Sequence, residues 1–490
     1  MVLGLTEWSP RGEPPTVYDM TDALSWDVLE SDYAHPSARR PLHRVFEIAR
    51  ELGVVCIVKE PRYIDGDWRS QLARFYNGAF RRFPSVCHRL HFFTSPVDQD
   101  VKDLSSMQAA YRGYTVLRPL PVAPVGRTMI APPPALSKAV RCEGDETVDL
   151  FGWPCTIRAM PFISQDTQLL RCAHAALWMV MRHASMVHDQ PRRLPGDIYD
   201  AALGGVVVGR QLPSDGLSPH QLLSAMFTMG LSPTGKSLPQ SSAEDQTAGD
   251  LRLYGMICRY VNSRLPPIVI SNTHAWVVVA YKRTATAGSK LIELWRHDDA
   301  RGPYLPVDDP WNEPESAHQP WVATYPPLLP KAYLDAERAE AVGRSWVDAF
   351  RKSPQVAGTT LALADARPDP LHQATLRTFL VESSRFKQGL AARGMPVDLG
   401  VAYRTTPMSR HVWVIEIVDK LTRSNGQPDV IGELLLDATL TQFEPLGDAT
   451  SILALHIDNF AYMPGVDGAN ALTLTPPAGV LYRTGCPPLA

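Results

Sequence analysis

The chain has 490 residues, of which 45% are apolar and 20% charged, a balance typical of soluble globular proteins. A chain of this length usually holds about two to four domains. Lys and Arg number 48 against 51 Asp and Glu, and the formal charge of −3 provides no basic field that would hold nucleic acid or an anionic membrane.

The first residues show no apolar core behind a basic head, and no run of about 18 apolar residues occurs. We therefore expect a cytoplasmic protein with neither a membrane nor a nucleic-acid partner. The seven cysteines are scattered and include no CxxC pair, which argues against a disulfide framework and a structural zinc site. No cofactor and no bound metal are expected.

Three regions follow one another along the chain. Residues 1–150 predict an α/β or α+β accessory region, with a helix near Pro41–Leu52, the strand GVVCIVKE, a helix near Asp67–Phe83 and Pro-rich edge strands at 111–134. The central region, 151–325, ends at a second Pro cluster, YPPLLPKAYLD. Residues 326–490 predict an α+β accessory domain with a helix near Leu371–Arg393 and the strands HVWVIEIVD and GELLLDATL.

The central region contains a cysteine at the predicted start of a buried helix. In PFISQDTQLLRCAHAALWMVMRHASM, a polar stretch gives way at Cys172 to a helix that is apolar on nearly every face. Unpaired backbone N–H groups at a helix start stabilise a thiolate and can also bind an oxyanion. The plain alternative is a buried, unreactive thiol, which is the commoner state of an arbitrary cysteine.

A histidine and an acid follow on two predicted strands. His274 opens the second strand of LPPIVISNTHAWVVVAYKR, and SKLIELWRHDD forms the next strand. If the chain folds back at Thr286, His274 faces Asp298, whose carboxylate would orient the imidazole. A slip of one residue would substitute Asp299 or His297, and Asp308 and Asp309 are further candidates. A strand histidine is also often structural, and paired Asp residues often cap turns.

Together these residues resemble the papain-like cysteine peptidases, closest to the peptidases that remove double-glycine leaders from bacteriocins. The resemblance covers about residues 160–310: Gln165, the helix start Cys172-Ala173-His174-Ala175-Ala176-Leu177, the segment GLSPHQLLSAMFTMGLSP, NTHAWVVVAY, and HDD. Ala173 replaces the usual Gly, and Gln165 lies one position further from Cys172 than is usual, so Gln168 is a rival to it.

The resemblance implies an α+β fold with a papain-like centre and a triad of Cys172, His274 and Asp298. Gln165 would complete the oxyanion hole. The implied activity is that of a cysteine peptidase or isopeptidase on a protein or peptide substrate. A papain-fold acyltransferase, amidase or deamidase, or an inactive binding scaffold, remains an alternative. The oligomeric state is left open.

Other candidate motifs are interpreted as structural. The segment GLSPTGKS at 230–237 matches the P-loop expression, but a helix precedes it and a polar stretch follows it, the reverse of a P-loop. The cluster CHRLH at 87–91 has no companion ligand pair for a metal. Arg118, Arg127 and Arg171 are expected to pair with carboxylates of the fold rather than with an acidic substrate, and His174 has no predicted partner.

Overall fold

The architecture comes from a computed structural model. It describes residues 15–97, 105–166, 168–203, 216–238, 246–283, 292–307, 321–352, 375–390, 397–424, 427–440, 452–457, 460–464, 471–474 and 482–483. Contacts divide the chain into one unit of residues 1–240 and 266–327 and another of 241–265 and 328–490. The division at 150 and 325 stays a prediction; these contacts group most of its first two regions together but assign 241–265 to the second unit.

The first unit begins with a five-stranded antiparallel sheet of order β1-β2-β3-β4-β5 and three helices. The strands are β1 (Thr16–Asp19), β2 (Cys56–Tyr63), β3 (Cys87–Phe93), β4 (Tyr111–Leu117) and β5 (Val125–Ile130). The helices are α1 (Ala23–Tyr33), α2 (Arg40–Glu51) and α3 (Gly66–Arg74). Leu42, Val45, Phe46 and Ala49 bury one face of α2, the period expected of an amphipathic helix. The predicted helices and strands of this region are confirmed, although α3 is shorter than expected and β4 lies inside the sheet, between β3 and β5, rather than at its edge.

A second antiparallel sheet carries the site, in the order β13-β12-β11-β10-β14-β9, with β6 also paired to β11. Its strands are β6 (Val140–Arg141), β9 (Lys236–Ser237), β10 (Ile268–Ile270), β11 (Ala275–Arg283), β12 (Ile292–Asp298), β13 (Gly302–Val307) and β14 (Ala323–Tyr325). A separate hairpin joins β7 (Gly144–Leu150) to β8 (Trp153–Ala159). The helices are α4 (Cys172–Val187), α5 (Pro195–Leu203) and α6 (Pro219–Thr228).

The register of β11 and β12 corrects the sequence-based pairing. Val277 pairs with His297 and Val278 with Arg296, which brings Asp298 opposite Trp276 rather than His274. The prediction was therefore wrong by two positions, and the hairpin turn on which it depended lies outside the described residues. A slip by an even number keeps each side chain on its face of the sheet, so His274 and Asp298 still share one face.

The second unit is also α+β and antiparallel. Its helices are α7 (Gln246–Asn262), α8 (Ala336–Lys352), α9 (Ser383–Gly389) and α10 (Val397–Thr405). Its sheet has the order β15-β16-β17-β18-β19-β20, with β21 paired to β17. The strands are β15 (Thr375–Glu382), β16 (His411–Ser424), β17 (Gln427–Asp437), β18 (Ile452–Ile457), β19 (Phe460–Pro464), β20 (Ala471–Leu474) and β21 (Tyr482–Arg483).

The two strands predicted in this unit, HVWVIEIVD and GELLLDATL, fall in β16 and β17 and are confirmed. The helix predicted near Leu371–Arg393 is largely wrong, because within the described residues 375–390 Thr375–Glu382 is a strand and the α-helix is limited to Ser383–Gly389. The strand segment TLRTFLVE is rich in β-branched and aromatic residues, which favour pleated structure. Throughout the part of the chain that the structure describes, no helix combines the length and apolarity needed to span a membrane.

Candidate active site

Cys172 is the first residue of α4, as predicted. The preceding residue, Arg171, is extended and forms the N-cap without a side-chain hydrogen bond to the helix. Trp178 and Met181 are fully buried, and α4 packs against β11. This burial fixes the helix start beside the sheet that carries His274, and Cys172 lies in the first turn, where the backbone N–H groups lack partners within the helix.

Cys172 also differs from the other cysteines in exposure. It is partly exposed, whereas every other cysteine among the described residues is buried: Cys56, Cys87, Cys142, Cys155 and Cys258. Burial raises the pKa of the Cys87 and Cys155 thiols, which makes them poor nucleophiles. Cys172 is therefore the accessible thiol of this set.

His274 lies in the turn between β10 and β11, immediately before Ala275. Its backbone N–H donates to Ser271 Oγ at 3.0 Å, and its carbonyl accepts from Ser271 N–H at 2.9 Å. The ring hydrogen-bonds to Cys172 on one side. Its Nε2 lies 3.2 Å from Asp298 Oδ1 and 3.2 Å from Asp299 Oδ1. Because Nε2 faces the two carboxylates, Nδ1 is the nitrogen left to serve the thiol.

Asp298, at the end of β12, is held by several donors. Oδ1 also accepts from Ala300 N–H at 3.0 Å, and Oδ2 accepts from Trp276 Nε1 at 3.1 Å. The Trp276 ring meets the His274 ring edge-on with centroids 5.1 Å apart, and the Arg296 guanidinium lies over the indole at 4.7 Å. The carboxylate is completely buried. This shell fixes the acid and, through it, the plane of the imidazole.

Asp299 contacts the same nitrogen as Asp298, although successive residues of a strand point to opposite faces. Both carboxylates reach His274 because β12 ends at Asp298 and the chain turns at Asp299. Asp299 is almost fully buried, and its Oδ2 has no hydrogen-bond partner among the described residues. Two carboxylates therefore share one imidazole.

The pKa values of His274, Asp298 and Asp299 do not all shift in the same direction. Burial opposes a charge on His274, but hydrogen bonds to Asp298, Asp299 and Cys172 outweigh it and raise the pKa of His274 to about 12. Burial works against ionisation of Asp298 as well, yet the contact with His274 and the charge of Arg296 lower its pKa to about 2. Burial dominates at Asp299 and raises its pKa, with the charge of Asp298 adding to the effect. The favoured state is an imidazolium paired with the Asp298 carboxylate.

The oxyanion-hole candidates lie in the loop before α4. Gln165 and Gln168 are both partly buried there. The backbone N–H of Gln168 donates to the Asp166 carboxylate at 2.9 Å. The choice between the two glutamine side chains stays a prediction. Asp308 and Asp309, the reserve candidates for the acid, lie outside the described residues.

Histidines near the triad in the sequence have structural surroundings. His174 is buried and stacks on Tyr199 with ring centroids 6.0 Å apart, and burial lowers its pKa to about 4. His297 packs edge-on against Tyr304 at 4.6 Å, and burial lowers its pKa to about 3. Both rings are therefore neutral at physiological pH, unlike His274.

The motifs interpreted as structural lie in regular elements. Lys236 and Ser237 form β9, where a P-loop would begin a helix. His91 is buried in β3 with Nδ1 3.0 Å from the Tyr111 hydroxyl. Arg127 forms a buried ion pair with Asp65 at 3.0 Å, as expected. Arg118 is buried as well, but it bonds to neutral acceptors, and pairing of Arg171 stays a prediction.

The sequence interpretation named Asp299 as an alternative to Asp298 rather than as a joint partner of His274, and it missed the contacts of Trp276 and Arg296 with the acid. Trp276 lies two residues after His274, but alternation along a strand cannot show that an indole N–H reaches a carboxylate. His274, Asp298 and Asp299 also form a cluster of metal-ligand types whose ligand atoms lie within 4.8 Å of one another. No protein-family model matches the chain, and no curated protein sequence matches it.

Proposed function

We propose that the chain is a papain-like cysteine-dependent acyl-transfer enzyme, and foremost a peptidase or isopeptidase acting on a protein or peptide. One observation carries the proposal: the His274 ring lies between a thiol at a helix start and a buried carboxylate. Nucleophile, base and orienting acid thus occur in the order that thiol catalysis requires. A structural histidine would need only one of these partners.

The geometry supports a two-step mechanism. The Cys172 sulfur, its proton transferred to His274 Nδ1, attacks the substrate carbonyl carbon, and an S–C bond forms. The imidazolium then protonates the leaving amine as the C–N bond breaks, which leaves a thioester. Water, losing a proton to the imidazole, attacks the thioester and releases the acid and the thiol. Backbone N–H groups at the start of α4, with Gln165 or Gln168, would stabilise the oxyanion, a contact worth roughly 3 kcal/mol per donor.

The direct test is selective alkylation. Iodoacetamide at pH 7 should label Cys172 much faster than the other cysteines, as read by mass spectrometry of peptides. Cys172→Ala and Cys172→Ser should remove that label and abolish turnover of a peptide substrate while melting temperature stays near that of the parent protein. Labelling of Cys172 no faster than the buried thiols would reject the enzyme and favour a binding scaffold.

Hydrolysis and transfer share this chemistry up to the thioester. A papain-fold acyltransferase would resolve it with an amine, whereas an amidase or deamidase would release ammonia from a carboxamide. Turnover in the presence of hydroxylamine or a primary amine separates them. Incorporation of the amine into the product in preference to hydrolysis would assign the chain to the transferases.

The ligand cluster supports a second candidate, a site for a divalent transition metal at His274, Asp298 and Asp299. An ion on Nε2 would leave the proton on Nδ1, so the ring could not accept the thiol proton. The two functions therefore exclude each other at His274. Zn²⁺ titration followed by calorimetry, with Cys172 labelling in parallel, distinguishes them: tight binding abolished by Asp299→Asn would favour the metal site.

A further inference from the structure

We propose that Asp166 is the positioning residue that holds the loop before α4 in the shape that aims Cys172 at His274. Oδ1 of Asp166 accepts backbone N–H groups from three residues, Gln168 at 2.9 Å, Leu169 at 2.9 Å and Leu170 at 2.8 Å. The Asp166 N–H donates in turn to the Leu170 carbonyl at 3.1 Å. One buried carboxylate therefore holds the backbone of three successive residues, the last of which lies two positions before the nucleophile.

Water cannot take over two of these hydrogen bonds, because Leu169 and Leu170 are completely buried and Asp166 itself is only 2% exposed. Without the carboxylate, the N–H groups of Leu169 and Leu170 would be left unpaired in a dry environment, at a cost of about 1–3 kcal/mol each. The loop would rearrange to satisfy them. Since Cys172 is the first helical residue, any change in the direction of the loop moves the thiol directly.

A second set of hydrogen bonds, from the N-terminal region, holds Ser164, two residues before Asp166. Arg118 Nη2 donates to the Ser164 carbonyl at 3.1 Å and to Ser164 Oγ at 2.9 Å. Ser164 Oγ donates to the Val125 carbonyl at 2.6 Å. The guanidinium is itself fixed by Gln71 Oε1 at 3.0 Å and the Ala123 carbonyl at 3.1 Å. Arg118 is buried, and its charge attracts that of Asp166.

These contacts assign a role to the N-terminal region. Arg118, just after β4, and Val125 of β5 hold Ser164, while Gln71 of α3 fixes the guanidinium. Asp166 carries that constraint to the start of α4. The inference rests on the proposed function, because it concerns how the thiol meets its base. It goes beyond that function in naming a group that touches neither substrate nor thiol and yet sets the reactivity of Cys172.

The test measures iodoacetamide labelling of Cys172 in the full chain across pH 5–9, with melting temperature recorded for each variant. Asp166→Ala should slow labelling at pH 7 by about 10- to 100-fold, because small misplacements of reacting groups have effects of that size. Its labelling profile should also move toward alkaline pH, a change that lost stability alone would not produce. Asp166→Asn keeps an oxygen at the same place and should stay within about threefold of the parent protein.

Asp166→Glu sharpens the comparison, because it keeps the charge but places the carboxylate one methylene too far for the three N–H groups. It should be slow, as Asp166→Ala is. The matched control is Asp149→Ala, since the Asp149 side chain accepts the Gly152 N–H in the exposed β7–β8 turn and lies outside the loop. Asp149→Ala should leave labelling unchanged.

Two outcomes would overturn the inference. One is a folded Asp166→Ala or Asp166→Glu protein whose Cys172 labels within threefold of the parent rate. The other needs no variant: fast hydrogen exchange at the amides of 168–170 in the parent protein, which would show that the three hydrogen bonds do not persist. Slow labelling of Cys172 in the parent protein is a different result, because it rejects the proposed function itself.

Discussion

Each unit of the chain buries a carboxylate against a cation, but the two sites differ in whether every carboxylate oxygen has a hydrogen-bond donor. In the second unit, Glu340 of α8 accepts from Arg259 Nε at 2.6 Å and Nη2 at 2.8 Å, and Thr378 Oγ1 donates to it at 3.0 Å. Burial works against its ionisation, yet these donors lower the pKa of Glu340. Arg344 Nη2 also donates to Glu340 Oε1 at 3.2 Å. Both oxygens of this carboxylate therefore accept from cations, which makes it a satisfied structural group.

At the end of β12, two carboxylates contact one imidazole. Asp298 and Asp299 share a single nitrogen of His274, and their pKa values shift in opposite directions. The imidazole also serves the Cys172 thiol. Competing demands on one ring, with a carboxylate oxygen left unpartnered, are typical of sites selected for chemistry rather than for stability. The comparison teaches that burial of charge alone does not mark a site; imbalance among the partners does.

Removal of the shared base should have the largest effect. His274→Ala takes away the proton acceptor of the thiol, and we expect Cys172 labelling and peptide turnover to fall by about 100- to 10,000-fold. His174→Ala is the matched control, because His174 is buried, neutral and stacked on Tyr199. It should lower the melting temperature and leave labelling nearly unchanged. Equal losses in the two variants would show that His274 is not the base.

The next effect tests the orienting acid. Asp298→Asn removes the charge that stabilises the imidazolium while keeping the shape, and we expect labelling at pH 7 to fall by about 10- to 100-fold. The loss should be smaller than for His274→Ala, because Asp299 still reaches Nε2. The measurement is the labelling rate as a function of pH together with the melting temperature. An unchanged rate in a folded protein would place the acid elsewhere.

Loss of the Glu340–Arg259 pair should lower stability and leave Cys172 labelling unchanged. Glu340→Ala removes the bidentate partner of the partly buried Arg259 and leaves it the more distant Glu337 at 3.8 Å. We expect the free energy of unfolding to fall by about 2–4 kcal/mol, measured by urea denaturation. Labelling of Cys172 under native conditions, without urea, should not change. A drop in labelling without a drop in stability would break the distinction drawn between the two carboxylates.

The sequence alone was sufficient for the α+β class, for the helix that starts at Cys172 and for the shared face of His274 and Asp298. The helix start could be recognised because a polar stretch meets an apolar run there. The register could not, since a slip by two residues leaves the pattern of faces unchanged. The contacts of Asp299 and Asp166 depend on where the chain turns, and turns of this kind carry no periodic signal.

Substitution of Asp299 should have the smallest effect. The direction of the change in stability is the informative result. Burial raises the pKa of Asp299 above the ordinary value of 3.8, so the folded protein binds its proton more tightly than the unfolded chain does. The ionised group therefore opposes folding, and that cost grows as pH rises through 3.8 toward the folded value. Asparagine has no proton to lose. Asp299→Asn should accordingly be no less stable than the parent protein at pH 7, with labelling of Cys172 reduced only a few-fold.

Asp298 provides the opposite case within the same turn. Its pKa is lowered to about 2, so its contribution to stability is present above pH 3.8 and is lost as pH falls toward 2. The difference in melting temperature between Asp299→Asn and the parent should rise from pH 3.5 to pH 7, whereas for Asp298→Asn it should become more negative. Differential scanning fluorimetry at both pH values measures this. Parallel trends would mean that the two carboxylates are equivalent and that His274 does not discriminate between them.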